Sequence, residues 1–147
     1  MTPTAPLPDI DILVREALTS VFGADATVMT LIPDDWAARL DLVVARRVPG
    51  AGAIDPRGLD AAIVDIQSLS ADRATASTLC RRAVAGLYDA CTRQFASPAA
   101  GGYLSHFSSV GGGPAELRIG LPAPDASTFR FQATVRLTAR PTPVPTP

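Results

Sequence analysis

The sequence predicts an α+β domain: a mixed, mostly antiparallel sheet with an N-terminal helix and one long helix packed on one face. Three observations predict it. Apolar residues recur at helical spacing in two stretches, Ile10 to Phe22 and Ala76 to Phe95. Several shorter stretches are β-branched or alternate apolar with polar, most clearly the closing "FRFQATVRLTAR", Phe129 to Arg140. The resulting order, αβββαβ(β)β, sets a long helix between two strands as a crossover, with hairpins or short returns around it.

The first eight residues hold three prolines and read as a flexible arm, residues 1–8, ahead of a single domain over residues 9–140. Asp9 is placed to cap the first helix after Pro8. Ile10, Leu13, Val14, Ala17, Leu18, Val21 and Phe22 then form one apolar stripe, and Gly23 follows where a left-handed C-cap residue belongs. "ATVMTLIP" (Ala26 to Pro33) reads as a short strand ended by proline, and "DDWAARL" as a turn or a helical turn capped by Asp34. "DLVVARRV" (Asp41 to Val48) reads as a second strand. "PGAGAIDPRG" (Pro49 to Gly58) reads as a flexible loop, and "DAAIVDIQS" (Asp60 to Ser68) as a third strand with Ala62, Val64 and Ile66 on one face.

A long helix is predicted from about Ala71 to Phe95, with Ser70 as its cap and Asp72 in its first turn. Its inward stripe is Ala76, Leu79, Cys80, Ala83, Val84, Leu87, Cys91 and Phe95, and Arg81, Arg82 and Arg93 fall off it. "GYLSHFSSV" (Gly102 to Val110) predicts a strand, "GGGP" (Gly111 to Pro114) a turn, and "AELRIGLP" an extension of the sheet. The last ribbon puts Phe129, Phe131, Ala133, Val135, Leu137 and Ala139 on a dry side. Arg130, Gln132, Thr134, Arg136, Thr138 and Arg140 fall on a cationic, hydroxyl-rich side. The Pro-rich end, residues 141–147, is expected to be extended and disordered.

At 147 residues, with 47% hydrophobic and 18% charged residues, the composition is that of one folded domain with a real core. A formal net charge of -1 gives no overall pull toward nucleic acid or an anionic membrane. All 13 basic residues are arginine, a bias that favours bidentate, partly buried contacts over loosely hydrated ones. No apolar run approaches the ~20 residues that cross a bilayer, and "MTPTAPLPD" lacks the features of a signal peptide, so the chain is expected to stay in the cytoplasm where it is made.

Candidate chemistry is sparse. His106 is the sole histidine, and Cys80 and Cys91 have no C-x-x-C spacing, so no metal or cofactor is expected. The two cysteines lie roughly 16 Å apart along one helix, too far for a disulfide, and are read as buried reduced thiols. Ser105 and Ser108 flank His106, but neighbours in a strand point to alternate faces. No nucleophile elbow, phosphate-binding loop or dinucleotide fingerprint occurs. Asp34 and Asp35 read as a turn or cap rather than a catalytic pair. Arg46 and Arg47 stand together at a strand end, either solvated or at a subunit contact. One Trp, two Tyr and five Phe are too few for a basic, aromatic nucleic-acid surface. No catalytic residue is predicted.

Taken together, "VMTLIP", "LVVARRVPGAG", "AAIVDIQSLSADRATASTLCRRAVAGL" and "RFQATVRLTARP" resemble the tail terminator (tail completion) proteins of long-tailed bacteriophages. The resemblance is carried by the strand that ends in an Arg-rich, Gly-containing loop, by the Asp65–Ala74 entry into the long helix, and by the closing ribbon. It covers the chain from about Asp9 to Pro141. It implies a non-enzymatic virion protein of the tail or neck that forms a ring, typically a hexamer. Such a ring caps the tail tube, ends tube growth and presents a surface to the head connector. The implied partners are further copies of the chain, the major tail tube protein and the head–tail connector or stopper, with DNA met only as it passes through the lumen. Arg46, Arg47, Gly50, Gly52, Arg57, Arg130, Arg136 and Arg140 are the implied interface residues. Two other readings are a head–tail connector or stopper and, from another class, a small-molecule-binding domain or minor enzyme, which would need a deep pocket with converging polar groups.

Overall fold

The computed structural model describes residues 4–50, 52–117 and 128–143. Helix α1 spans Ile10–Phe22 and is capped as predicted: the Asp9 carboxylate accepts from the Ile12 N–H at 3.1 Å, and Gly23, at φ 55°, donates its N–H to Thr19 O. Helix α2 spans Arg73–Thr92, shorter than predicted at both ends. Asp72, not Ser70, is its N-cap, with its carboxylate accepting from the Thr75 N–H at 2.9 Å and the Thr75 hydroxyl at 2.7 Å. Ser70 stays in the preceding strand, and its Oγ accepts from the Asp72 N–H.

The helices run antiparallel. The end of α1 meets Arg82, which donates to Val21 O and Asp25, while its start is tied to the segment after α2 through Asp9 N–H to Ala100 O. Gly86 permits the close crossing, because a Cβ there would lie 2.6 Å from Val21 Cγ2. Ahead of α1, Pro8 is buried against Gly102.

The strands are β1 Thr27–Met29, β2 Leu42–Arg47, β3 Ala53–Asp55, β4 Leu59–Ser70, β5 Ala96–Ser97, β6 Gly102–Leu117 and β7 Phe129–Pro141. They form one sheet in the order β1-β2-β4-β7-β6-β5, with β3 continuing the line of β2 along the same edge of β4. β1–β2 is parallel and the other pairs are antiparallel. β4 and β6 both oppose β7, so they are parallel to each other with β7 between them. The α2 crossover therefore skips one strand. The fold is the predicted α+β sheet with both helices on one face, where Val43, Ala45, Ala62, Val64, Ile66, Val135, Leu137 and Ala139 form the core with α1 and α2.

Two predicted irregular segments are ordered differently, and a predicted helical turn forms with another cap. The loop from Pro49 to Gly58 contains β3, whose register Ala53↔Ala61 uses the part of the β4 edge that β2 leaves free. Its turn is fastened by Asp55, which accepts from the Arg57 N–H, and by Gly58 N–H to Asp55 O. The predicted turn at Gly111–Pro114 lies inside β6. Register shifts at Val110/Gly112 and Gly112/Ala115 absorb the glycines and the proline, which an edge with no outer partner among the described residues tolerates. Trp36–Arg39 forms a 3₁₀ turn whose cap position holds Asp35 rather than Asp34, and Asp35 bonds Arg39 at 2.9 Å. In the Pro-rich end, Pro141 closes β7 and Thr142 donates its N–H to Gly101 O; the end of that prediction, residues 144–147, lies outside the described residues, as does the stretch of the extension beyond Leu117.

Cys80 and Cys91 are buried free thiols facing the sheet side of α2. Burial pushes each thiol up to about 11, so both stay protonated and unreactive near neutral pH. Iodoacetamide at pH 8 is expected to modify neither in the native protein and both in denaturant, as read by mass spectrometry. The unfolded thiols ionise first, near their ordinary 9.0, so this contribution to stability is complete below pH 9 and is lost as pH rises toward 11.

Candidate functional site

Period-two geometry separates the candidate residues into two groups. In β7 the odd positions face the helices, which turns Arg130, Gln132, Thr134, Arg136, Thr138 and Arg140 to the opposite, helix-free face. Register carries that face across the sheet, with Gln67 opposite Gln132, Asp65 opposite Thr134 and Ile63 opposite Arg136 in β4, and Arg46 opposite Asp65 in β2.

Arg47 is one residue on and therefore on the helix side. Its guanidinium grips the Asp60 carboxylate with two bonds of 2.6 Å, and its N–H donates to Asp11 of α1 at 2.8 Å. This pair joins β2, β4 and α1 inside the subunit. The structure does not bring Arg47 together with Arg46, although the two are adjacent in sequence.

The helix-free face has a bonded end and an open end. At the bonded end Gln67 donates to Asp65 at 2.9 Å, Arg130 Nε donates to the Gln67 side-chain oxygen at 2.8 Å, and Gln132 donates to the other Asp65 oxygen. Burial pulls the Arg130 guanidinium below its ordinary value while the nearby Asp65 charge opposes this, as expected of a half-buried arginine. Trp36 covers this end from above, packing with Leu42, Val44 and Leu69. Beside it lies a cleft of about 340 Å³ lined by Leu31, Ile32, Val44, Arg46, Asp65, Gln67 and Arg130.

Sequence reasoning missed this cover. Its signal is that Leu42 and Val44 are as apolar as Val43 and Ala45, so β2 is dry on both faces at its start.

At the open end, Arg136 and Arg140 are exposed, and neither guanidinium has a hydrogen bond or ion pair among the described residues; the same holds for the side chain of exposed Arg46. Arg130 and Arg136 are six positions apart on one strand, about 20 Å at ~3.4 Å per residue. The cations are spread along a surface rather than converging on a point.

The β3 hairpin holds the remaining candidates. Gly50 and Gly52 have φ of 72° and 97°, and a Cβ on Gly52 would sit 2.1 Å from Ala61 O. Arg57 is exposed but bonded to Asp55, which holds the Asp55 carboxyl below the usual range. Gly52→Ala is expected to detach β3 from β4, seen as faster amide exchange over residues 53–61, while the helices keep their protection.

His106 and its serine neighbour Ser105 do not form a catalytic dyad. His106 is exposed opposite Thr138, and the Ser105 hydroxyl donates to Thr138 O rather than to His106. Among the described residues no group of three or more His, Cys, Asp or Glu is placed to hold a metal ion, and no helix is long and apolar enough to cross a membrane.

The arrangement is thus a scaffold that presents an extended cationic sheet face and an ordered hairpin. Comparison with individual curated proteins gives no match. A family model described as "Phage tail termination protein" matches residues 6–144, nearly the whole chain and every element described above, so this chain belongs to the phage tail termination protein family and is a component of the virion tail.

Proposed function

We propose that the protein works as a ring of identical copies, a hexamer, that seats on the last layer of major tail tube protein, stops tube growth and offers its far surface to the head connector. The observation that carries this reading is the helix-free face with the guanidinium groups of Arg46, Arg136 and Arg140, which have no partner among the described residues. A two-layer domain leaves one sheet face to solvent or to a neighbour. Arginine suits the neighbour, since its planar fork bridges carboxylates and carbonyls across a seam. The segment from Gly50 and Gly52 through β3 to Arg57 is the part assigned to the tube, because its two glycines take positive φ, β3 exposes Ile54 and the following turn exposes Arg57.

Tails assembled without the protein test the reading. Electron microscopy is expected to show tubes of uncontrolled, excessive length, and restoring the protein should return a uniform length with a ring at one end. Tubes of normal length in its absence would overturn the proposal. Normal tubes that fail only to join heads would move the protein to the connector.

A further inference from the structure

Arg46 has a near partner that it does not take. It stands directly opposite Asp65 in the register of β2 and β4, and both side chains are on the helix-free face. Residues so placed on antiparallel strands lie roughly 5 Å apart at Cβ, and opposite charges there attract. The Arg46 guanidinium nevertheless has no hydrogen bond or ion pair among the described residues.

The cause lies on the other side of Asp65. Its two carboxylate oxygens each accept a side-chain amide N–H, one from Gln67 at 2.9 Å and the other from Gln132. Gln132 belongs to β7, which flanks β4 on the side away from β2, so its bond draws the carboxylate away from Arg46. Gln67 is oriented in turn: its oxygen accepts from Arg130 Nε at 2.8 Å, which leaves its nitrogen to face Asp65. A carboxylate held through both oxygens must give up good bonds to turn toward another cation. Arg46 lines the cleft together with Leu31, Ile32 and Val44, so its open guanidinium stands beside apolar surface.

We infer that Gln67 and Gln132 are positioning residues for the subunit seam: by holding Asp65 they keep Arg46 available to an acceptor oxygen, a carboxylate or main-chain carbonyl, that arrives at this cleft beside an apolar side chain. Under the ring reading, on which this rests, that acceptor belongs to a second copy of the chain. An internal Arg46–Asp65 pair competes with such a contact, because its partner is always at hand whereas a second copy must be met. The amide network therefore decides whether Arg46 is used within the subunit or between subunits.

Ring occupancy on purified tail tubes, counted by electron microscopy, tests the inference. Arg46→Gln and the double variant Gln67→Leu/Gln132→Leu are each expected to lose about tenfold in occupancy, and their combination is expected to lose no more than either alone. In the isolated protein, the NMR signal of the Arg46 Nε–H is expected to shift and exchange more slowly in the double variant, and to revert when Asp65→Asn is added. Wild-type occupancy in Arg46→Gln or in the double variant, additive losses on combining them, or an Arg46 signal indifferent to Asp65→Asn would overturn the inference and leave the ring reading standing. Thermal melts accompany each variant, and if the double variant is unfolded at the assay temperature, Gln132→Leu alone is held to the same outcomes. A wild-type protein that forms no ring on tubes overturns the ring reading itself.

Discussion

Replacing Arg47 by methionine is expected to lower unfolding stability by about 3 kcal/mol, whereas the same change at Arg46 costs under about 0.5 kcal/mol. The asymmetry comes from what each side chain leaves behind. Without Arg47, the Asp60 carboxylate keeps its buried position, with the residue 2% exposed, and loses both of its charge-assisted bonds. An unpaired charge in such a place is far costlier than the net worth of the intact pair. The guanidinium side is partly open to water, at 26% exposure, which keeps the figure at the low end of the range for broken buried pairs. Arg46 is exposed and has no partner within the described residues, so its removal strands nothing. Urea unfolding midpoints for the two variants would separate these expectations. Equal midpoints would show that the Arg47–Asp60 bridge does not fasten β2 to β4.

Leu104→Ala is expected to cost about 2–5 kcal/mol, and Val110→Ala in the same strand under about 0.5 kcal/mol. Leu104 is fully buried and belongs to the main core with Leu137 and Ala139, at the part of β6 flanked on both sides. Truncation there removes apolar contact and leaves a cavity that packed neighbours fill only in part. Val110 lies past the reach of β5, 44% exposed, where truncation opens no cavity. Thermal unfolding of the two variants measures the contrast. A comparable loss at both positions would mean that the outer half of β6 is covered in the isolated protein.

Much of the fold was legible because the elements that bury one face advertise it. The α1 stripe, its Asp9 cap and the Gly23 stop each follow from a local rule that the tertiary structure has no reason to override. The alternation in β7 placed Phe131, Ala133, Val135, Leu137 and Ala139 in the core by parity alone.

The misreadings share a cause. Pro49–Gly58 and Gly111–Pro114 look like loops by composition, yet the first contains a short strand and the second lies within a long one. Edge positions excuse glycine and proline from the demands of a central strand, and only the pairing reveals which positions are edges. The α2 cap was displaced by two residues because β4 runs on through Leu69 and Ser70, held by pairing with β7.

The candidate surface was half legible. Parity grouped Arg130, Arg136 and Arg140, but Arg46 and Arg47 read as one pair until strand register sent them to opposite faces. The network of Asp65, Gln67, Gln132 and Arg130 draws on strands more than sixty residues apart and leaves no local mark.

By itself the sequence determined the class of fold, both helices, the dry side of the last strand and the lack of any motif for catalysis or metal binding. These depend on periodicities and residue chemistry that act within a few neighbours. Tertiary structure alone decided strand order, the strand skipped by the α2 crossover, and which arginines are engaged inside the subunit and which have no side-chain partner among the described residues. A guanidinium is free or engaged according to the carboxylate that folding brings beside it, and that distance is set by sheet register.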